Sequence, residues 1–330
     1  MNGEFVGYSE GSHNTAEFDV SDYIQEGENE MVAVVHRWCT GSYLECQDMF
    51  RNNGIFRDVL LRISEKTDIW DVGLKQNKQS DGTYTLYAEA TVYQDTDVTF
   101  TLEGYGIQKK ITVSAKNKKA EVIFESLHVK EWNAEYPMLY NLYYETGTTC
   151  IKTRIGFKTV EIKDDVFLIN GNRVKLHGVN HHDTNCKNGY TMTVDEIEQD
   201  MKLCKEYNID TVRTSHYPPD PFMLELCDEL GIYVIDEADV ETHGTFAHKL
   251  PPSYNRLSND PKWKDYFMER ICRLYQRDKL HTSIIMWSLG NESGGHYNTD
   301  LMYQYLKKYT DIPVHYESAI YTKRIAYDVA

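Results

Sequence analysis

The stretch SIIMWSLGNESGGH, residues 283–296, runs from an apolar strand straight into Gly290, Asn291, Glu292, Ser293, Gly294 and Gly295. A carboxylate held among glycines at the end of a buried strand is how a parallel barrel places an acid at its mouth. The sequence around it has the matching texture. From Asp164 onward, apolar strands alternate with helical segments. RVKLHGVN (173–180) reads as a first strand, IDTVRTS (209–215) as a second and IYVIDEA (232–238) as a third. SIIMWSL (283–289) is the fourth, and IPVHYES (312–318) the fifth, after a helix around 299–309. Between them, Thr193-Val194-Asp195-Glu196 forms a capping box, with Ile197, Met201 and Cys204 on one helical side. Asp220-Pro221 and Asp260-Pro261 open two further helices, and Gly231 stops the first of these.

Repeated βα units imply a parallel sheet, either doubly wound or a (β/α)8 barrel. No glycine-rich phosphate loop follows the first strand, which removes the nucleotide-binding reading. Polar residues instead crowd all five strand ends: Asn180 with His181, His182 and Asp183; Arg213 with His216; Asp236 with Glu237; Asn291 with Glu292; and Glu317. Five strands are expected here where a closed barrel has eight, so the sequence predicts an incomplete TIM barrel over 163–330.

Upstream the texture is all-β. TYTLYAEATVY (83–93) places Tyr84, Leu86, Ala88, Ala90 and Val92 on one face, and short alternating segments follow it. An immunoglobulin-like β-sandwich is expected over 66–162. Residues 1–65 read as short strands (FVGYSEGSHNTAEFDV, EMVAVVHRW, GIFRDVLLRIS), a β-domain entered partway.

A net charge of −16 argues against nucleic acid or an anionic membrane as partner. No uninterrupted apolar run is long enough to span a bilayer. The seven cysteines fit neither a disulfide framework nor a zinc pattern, and the first residues carry no signal-peptide pattern. A soluble cytoplasmic protein is expected. Its 25 tyrosines and 5 tryptophans suit sugar stacking and a β-rich core equally.

Several residues are candidates for chemistry. Partial burial of Glu292 would raise its carboxyl pKa and let it hand a proton to a leaving group. Asn291 could hydrogen-bond a substrate hydroxyl. Glu241 and His243 can ligate one metal with Glu292 as third ligand, a donor set suited to Mg²⁺ or Mn²⁺. His177, His181 and His182 cannot all face one way on a strand. Arg213 is either an ion-pair partner or a substrate clamp.

Taken together, GSYLECQDMFRNNGIFRDV, HGVNHHD, RTSHYPPDPFMLELCDELGIYVIDEADVETHG and SLGNESGGH resemble the large β-galactosidases of glycoside hydrolase family 2. The resemblance implies, in order, part of a sugar-binding jelly roll, the immunoglobulin-like domain and a catalytic barrel. It implies Glu292 as acid/base of a retaining hydrolase acting on terminal β-galactosides such as lactose, and Mg²⁺ held by Glu241, His243 and Glu292. It further implies that His182 and His216 bind the galactosyl ring, and that Asp48 reaches a sugar hydroxyl and a Na⁺ ion. Cys46, Phe50 and His181 depart from the family pattern, where an acid, a tryptophan and an arginine are usual. Retention needs a second carboxylate as nucleophile. The family's Glu-Tyr-Ala-His-type motif is absent here, and Glu317 and Glu237 are unsuited substitutes. An inactive fragment of a homo-oligomeric parent is therefore expected. The competing expectations are a metal-dependent hydrolase built on His177, His182, Glu241 and His243, and a non-catalytic sugar-binding fragment.

Overall fold

Alternation becomes a strand where a neighbour completes its hydrogen bonds, and residues 83–93 have one on each side. The computed structural model describes residues 1–50, 52–245, 256–319 and 327–329. Two antiparallel sheets are built from β1 (Ile69–Lys78), β2 (Tyr84–Val92), β3 (Asp97–Gly104), β4 (Ile107–Ser114), β5 (Lys119–Leu127), β6 (Tyr140–Glu145) and β7 (Cys150–Ile155). Their orders are β1-β2-β5 and β4-β3-β6-β7. Tyr84, Leu86, Ala88, Ala90 and Val92 all point into the shared core, against Phe100, Leu102, Leu142 and Tyr144. Each large side chain buried there contributes roughly 2 kcal/mol. This is the sandwich that period two predicts.

A small antiparallel sheet follows, of β8 (Val160–Lys163), β9 (Val166–Ile169) and β10 (Asn172–Arg173). The parallel sheet then begins with β11 (Gly178–His181), α1 (Val194–Glu206), β12 (Thr211–Thr214), α2 (Pro221–Leu230) and β13 (Tyr233–Glu237). It continues through α3 (Lys264–Asp278), β14 (Ile284–Ser288), α4 (Tyr297–Tyr309) and β15 (Val314–His315). The strand order is β11-β12-β13-β14-β15, the same as the chain order. A doubly wound sheet reverses direction at a switch point, whereas a barrel advances one way. The five strands form part of a TIM barrel.

The helices sit where the caps predict. Thr193 accepts from the Glu196 amide, and Glu196 accepts from the Thr193 amide at 2.8 Å. Asp220 caps α2 through the Phe222 amide, and Gly231 ends it at φ +70°. Asp260-Pro261 opens a 3-10 turn, Pro261–Trp263, that leads into α3. Ile197, Met201, Phe267, Ile271, Leu274 and Met302 close one core against Val212, Val234 and Ile284.

Two expectations change. The first barrel strand is shorter than RVKLHGVN, because Asn172 and Arg173 pair back onto β9 instead. Among the described residues, 1–65 form no strand, only the 3-10 turns Ser21–Tyr23 and Thr40–Leu44 and a single parallel bridge from Glu45 to Glu241. Val32, Val34, Leu60 and Ile63 are 67%, 74%, 85% and 86% exposed. Alternation supplies side-chain faces, but backbone pairing needs an adjacent strand.

The sandwich is bolted to the barrel through Trp132, whose Nε1 donates to the Asp228 carbonyl at 2.9 Å, and through the Gly156 amide on Thr282 Oγ1 at 2.7 Å. Buried Lys158 donates to the Thr282 carbonyl, and burial lowers its ammonium pKa to about 8 despite the opposing charge of Asp228. The folded pKa lies below the unfolded value of 10.5, so between the two the unfolded chain binds more protons. Stability therefore rises with pH across that window, by on the order of 3 kcal/mol. The stability difference between the wild type and Lys158→Met, read from urea midpoints, should grow by this amount from pH 7 to 10.5, a comparison in which the titration of buried tyrosines and cysteines cancels.

Candidate active site

The stretch from Glu237 to Glu241 is buried at every residue and carries three carboxylates. Each finds different partners. Glu237, at the end of β13, takes Arg213 Nε at 2.7 Å, His216 Nδ1 at 2.6 Å and Ser288 Oγ at 2.5 Å. Burial alone would raise its pKa, but the His216 hydrogen bond and Arg213 outweigh that and hold it below the usual range. Asp239 takes His13 Nδ1 at 2.9 Å and Gln47 Nε2 at 2.7 Å. Glu241 accepts from Asn291 Nδ2 at 3.1 Å. Burial raises the pKa of Glu241, with Asn291 and the nearby imidazoles opposing.

Glu241 is also the middle rung of a short parallel ladder. Its amide donates to the Leu44 carbonyl at 2.6 Å, and its carbonyl accepts from the Cys46 amide at 3.0 Å. On the other side the Asn291 amide donates to the Val240 carbonyl at 2.9 Å. Three segments far apart in sequence thus meet at one carboxylate.

Glu292 follows Asn291 in a left-handed turn at φ +36°, its amide donating to Glu317 Oε1 at 2.6 Å. Its side chain is 56% exposed, more open than the partial burial expected for it. Glu292 Oε2 lies 3.2 Å from His243 Nδ1, and Glu241 Oε1 lies 2.8 Å from the same atom. One donor atom from each of the three residues falls within 4.8 Å of the others. His243 Nδ1 is buried and makes no hydrogen bond among the described residues. Two carboxylates and an imidazole nitrogen converging on one point fit a hard divalent cation.

The remaining candidates fall into place around this cluster. Asp48 stands 3.8 Å from His243 Nε2 with a side chain 96% exposed. The rings of His182 and His216 meet edge to face at 5.4 Å. Burial, then the neighbouring His216 and His181, lowers the pKa of His182 and keeps it neutral. His181 turns the other way, onto Asp200 of α1 at 3.1 Å, so this departure from the family pattern touches helix packing. His177 precedes β11, its exposed ring 3.8 Å from Asp210. It lies at the opposite end of that strand from His182, so the two cannot share a ligand, and the cluster expected for a metal-dependent hydrolase does not assemble. Arg213 is an ion-pair partner that also donates to Asn291 Oδ1 at 3.1 Å.

Sequence reasoning missed His13, Gln47 and Asp239. Asp239 could have been found from its place between Glu237 and Glu241. His13 is 226 residues from its partner and has no local signal.

Gly290 makes the ladder possible. It sits at φ +131°, and a Cβ there would lie 2.5 Å from the Val240 carbonyl oxygen. Gly290→Ala should break the Val240–Asn291 rung and lower stability by about 2 kcal/mol or more, read from denaturant midpoints.

The family descriptions "Glycosyl hydrolases family 2, TIM barrel domain" and "Glycosyl hydrolases family 2, sugar binding domain" match residues 160–329 and 1–64. The β-galactosidase of Streptococcus thermophilus is 38% identical over 99% of this chain, and that of Priestia megaterium 40% identical over 96%. The chain spans 33% of the length of each. Among solved structures, a β-D-glucuronidase from Dictyoglomus thermophilum superposes with a TM-score of 0.63 at 21% identity, over 76% of this chain and 44% of that one. A β-galacturonidase from Eisenbergiella tayi gives 0.67 at 20% identity, over 82% and 50%. These structural likenesses establish the fold. With the barrel description covering more than half of its residues, the chain belongs to glycoside hydrolase family 2.

Proposed function

We propose that this chain carries the acid/base half of an enzyme that hydrolyses terminal β-galactosides with retention of configuration. The observation that supports the reading most is the open carboxyl of Glu292 at the barrel mouth, beside Glu241 and His243. Similarity to β-galactosidases at 37–40% identity favours a galactoside over the glucuronides and galacturonides named for the structural neighbours.

In this mechanism Glu292 gives its proton to the glycosidic oxygen as the bond to the anomeric carbon breaks. It later takes a proton from the water that releases the sugar. A sugar bound over the open face of Glu292 excludes water from it. His182, neutral and acting as both donor and acceptor, and His216 hydrogen-bond the ring hydroxyls, as does Asn291, while Asp48 approaches from the N-terminal segment. Glu241, His243 and Glu292 would hold Mg²⁺, whose charge would favour the ionised form of Glu292. Asp48 would offer one ligand to Na⁺.

The attacking carboxylate is assigned to none of the described acids. Glu237 is fully buried among Arg213, His216 and Ser288. Glu241 belongs to the cation cluster, and Glu317 accepts from the Glu292 amide and Ser318. The chain by itself is thus proposed to be inactive, and active once the rest of a barrel supplies the nucleophile. The parent is proposed to be a cytoplasmic homo-oligomer; no helix among the described residues is long and apolar enough to cross a membrane.

The test is hydrolysis of an aryl β-galactoside, beside the matching β-glucuronide, by the folded chain alone and with the remainder of a family barrel supplied in trans. Turnover of the galactoside should arise only on complementation and fall about 10²–10⁴-fold in Glu292→Gln. Galactoside turnover by the chain alone, abolished in Glu292→Gln, would place a nucleophile within it and overturn the half-site reading.

A further inference from the structure

Asp239 is fully buried and lies in the chain between Glu237 and Glu241. Both of its partners, His13 and Gln47, come from the N-terminal segment. Each of those partners continues to one histidine of the site. Gln47 Nε2 donates to Asp239 Oδ1 at 2.7 Å and to the backbone carbonyl of His216 at 3.1 Å. The ring of His13 stacks on Tyr217, centroids 4.1 Å apart and planes 15° from parallel. The Tyr217 hydroxyl accepts from the Asp183 amide at 3.1 Å and lies 3.4 Å from His182 Nδ1.

We propose that His13 and Gln47, clamped together by Asp239, are positioning residues: His13 sets His182 through Tyr217, and Gln47 sets His216 through its carbonyl. The physical grounds are rigidity and separation. All three members of the clamp are buried to 97% or more, so none rearranges without leaving a polar group unpaired in the interior. The two routes leave Asp239 from different carboxylate oxygens and meet again at the site, where Tyr217 follows His216 in the chain and the imidazoles of His182 and His216 lie edge to face at 5.4 Å, so cutting one route disturbs its own histidine more than the other. The N-terminal segment would then shape the sugar site without touching the sugar at these positions. The link to catalysis rests on His182 and His216 being the sugar-binding histidines proposed above.

The experiment reads the imidazole ¹⁵N–¹H signals of His182 and His216 in the folded 330-residue chain at fixed pH, assigned by His→Gln substitution of each. His13→Gln keeps a donor for Asp239 but removes the stacked ring, and should shift the His182 signals more than those of His216. Gln47→Met removes both donations, and should shift the His216 signals more than those of His182. His13→Phe restores a ring against Tyr217 and should return His182 to its original position. Thermal unfolding identifies the variants that fold, and any one folded variant decides its own route. If the two histidines move by equal amounts in each folded variant, or neither moves, the two-route clamp is wrong. A second readout uses the complemented enzyme. Here His13→Gln and Gln47→Met should raise KM for the aryl β-galactoside and leave the pH profile of kcat in place. Separate imidazole shifts with an unchanged KM would uphold the clamp and overturn the sugar-binding role of the histidines.

Discussion

The proposed site depends on one short parallel ladder. Residues 44–46, 240–241 and 290–291 lie side by side, joined by backbone bonds of 2.6, 3.0 and 2.9 Å. Each bond contributes only about 1 kcal/mol net. Their importance is geometric, because the central segment carries Glu241 and the outer ones lead into Asp48 and Glu292. The ladder exists because Gly290 lets two backbones approach more closely than a Cβ would allow. The glycines around Glu292 therefore serve backbone proximity as well as turning.

The five-residue stretch 237–241 shows how burial and partnership divide the roles of like residues. Burial raises the pKa of all three acids before any partner is counted. Glu237 and Asp239 each gain cationic or donor neighbours that more than offset it, so both are held ionised. Glu241 gains less, since its neighbour Glu292 is another carboxylate and pushes the same way. Two of these acids are structural anions, and the third is left in need of positive charge. That contrast is an electrostatic argument for the cation proposed at Glu241, His243 and Glu292.

The N-terminal segment is integrated with the barrel although it forms no strand of its own among the described residues. Ser12 Oγ bonds Glu45 at 2.5 Å, and Glu45 takes the fully buried Arg270 of α3 at 2.8 Å. His13, Gln47 and Cys46 also bond to the barrel segment, while Val34, Leu60 and Ile63 are exposed. A segment can thus belong to an active site through hydrogen bonds before it belongs to a hydrophobic core.

Much of this was legible from the residues alone, and for local reasons. The capping box at Thr193–Glu196, the Asp-Pro helix starts and the inward face of β2 depend on neighbours within a few positions, so pattern suffices. The acids at strand ends, Glu237 and Glu292 among them, were visible for the same reason, as was the Glu241–His243 pair in the loop after the third barrel strand. What the sequence could not determine is contact between distant segments. The exposure of Glu292, the outward turn of His181 and the separation of His177 from His182 follow from how strands pair. The pairing of His13 with Asp239 follows from how a loop from one domain packs over another. The strands foreseen in residues 1–65 failed for that reason too: side-chain alternation is a property of one segment, but a β-ladder needs two.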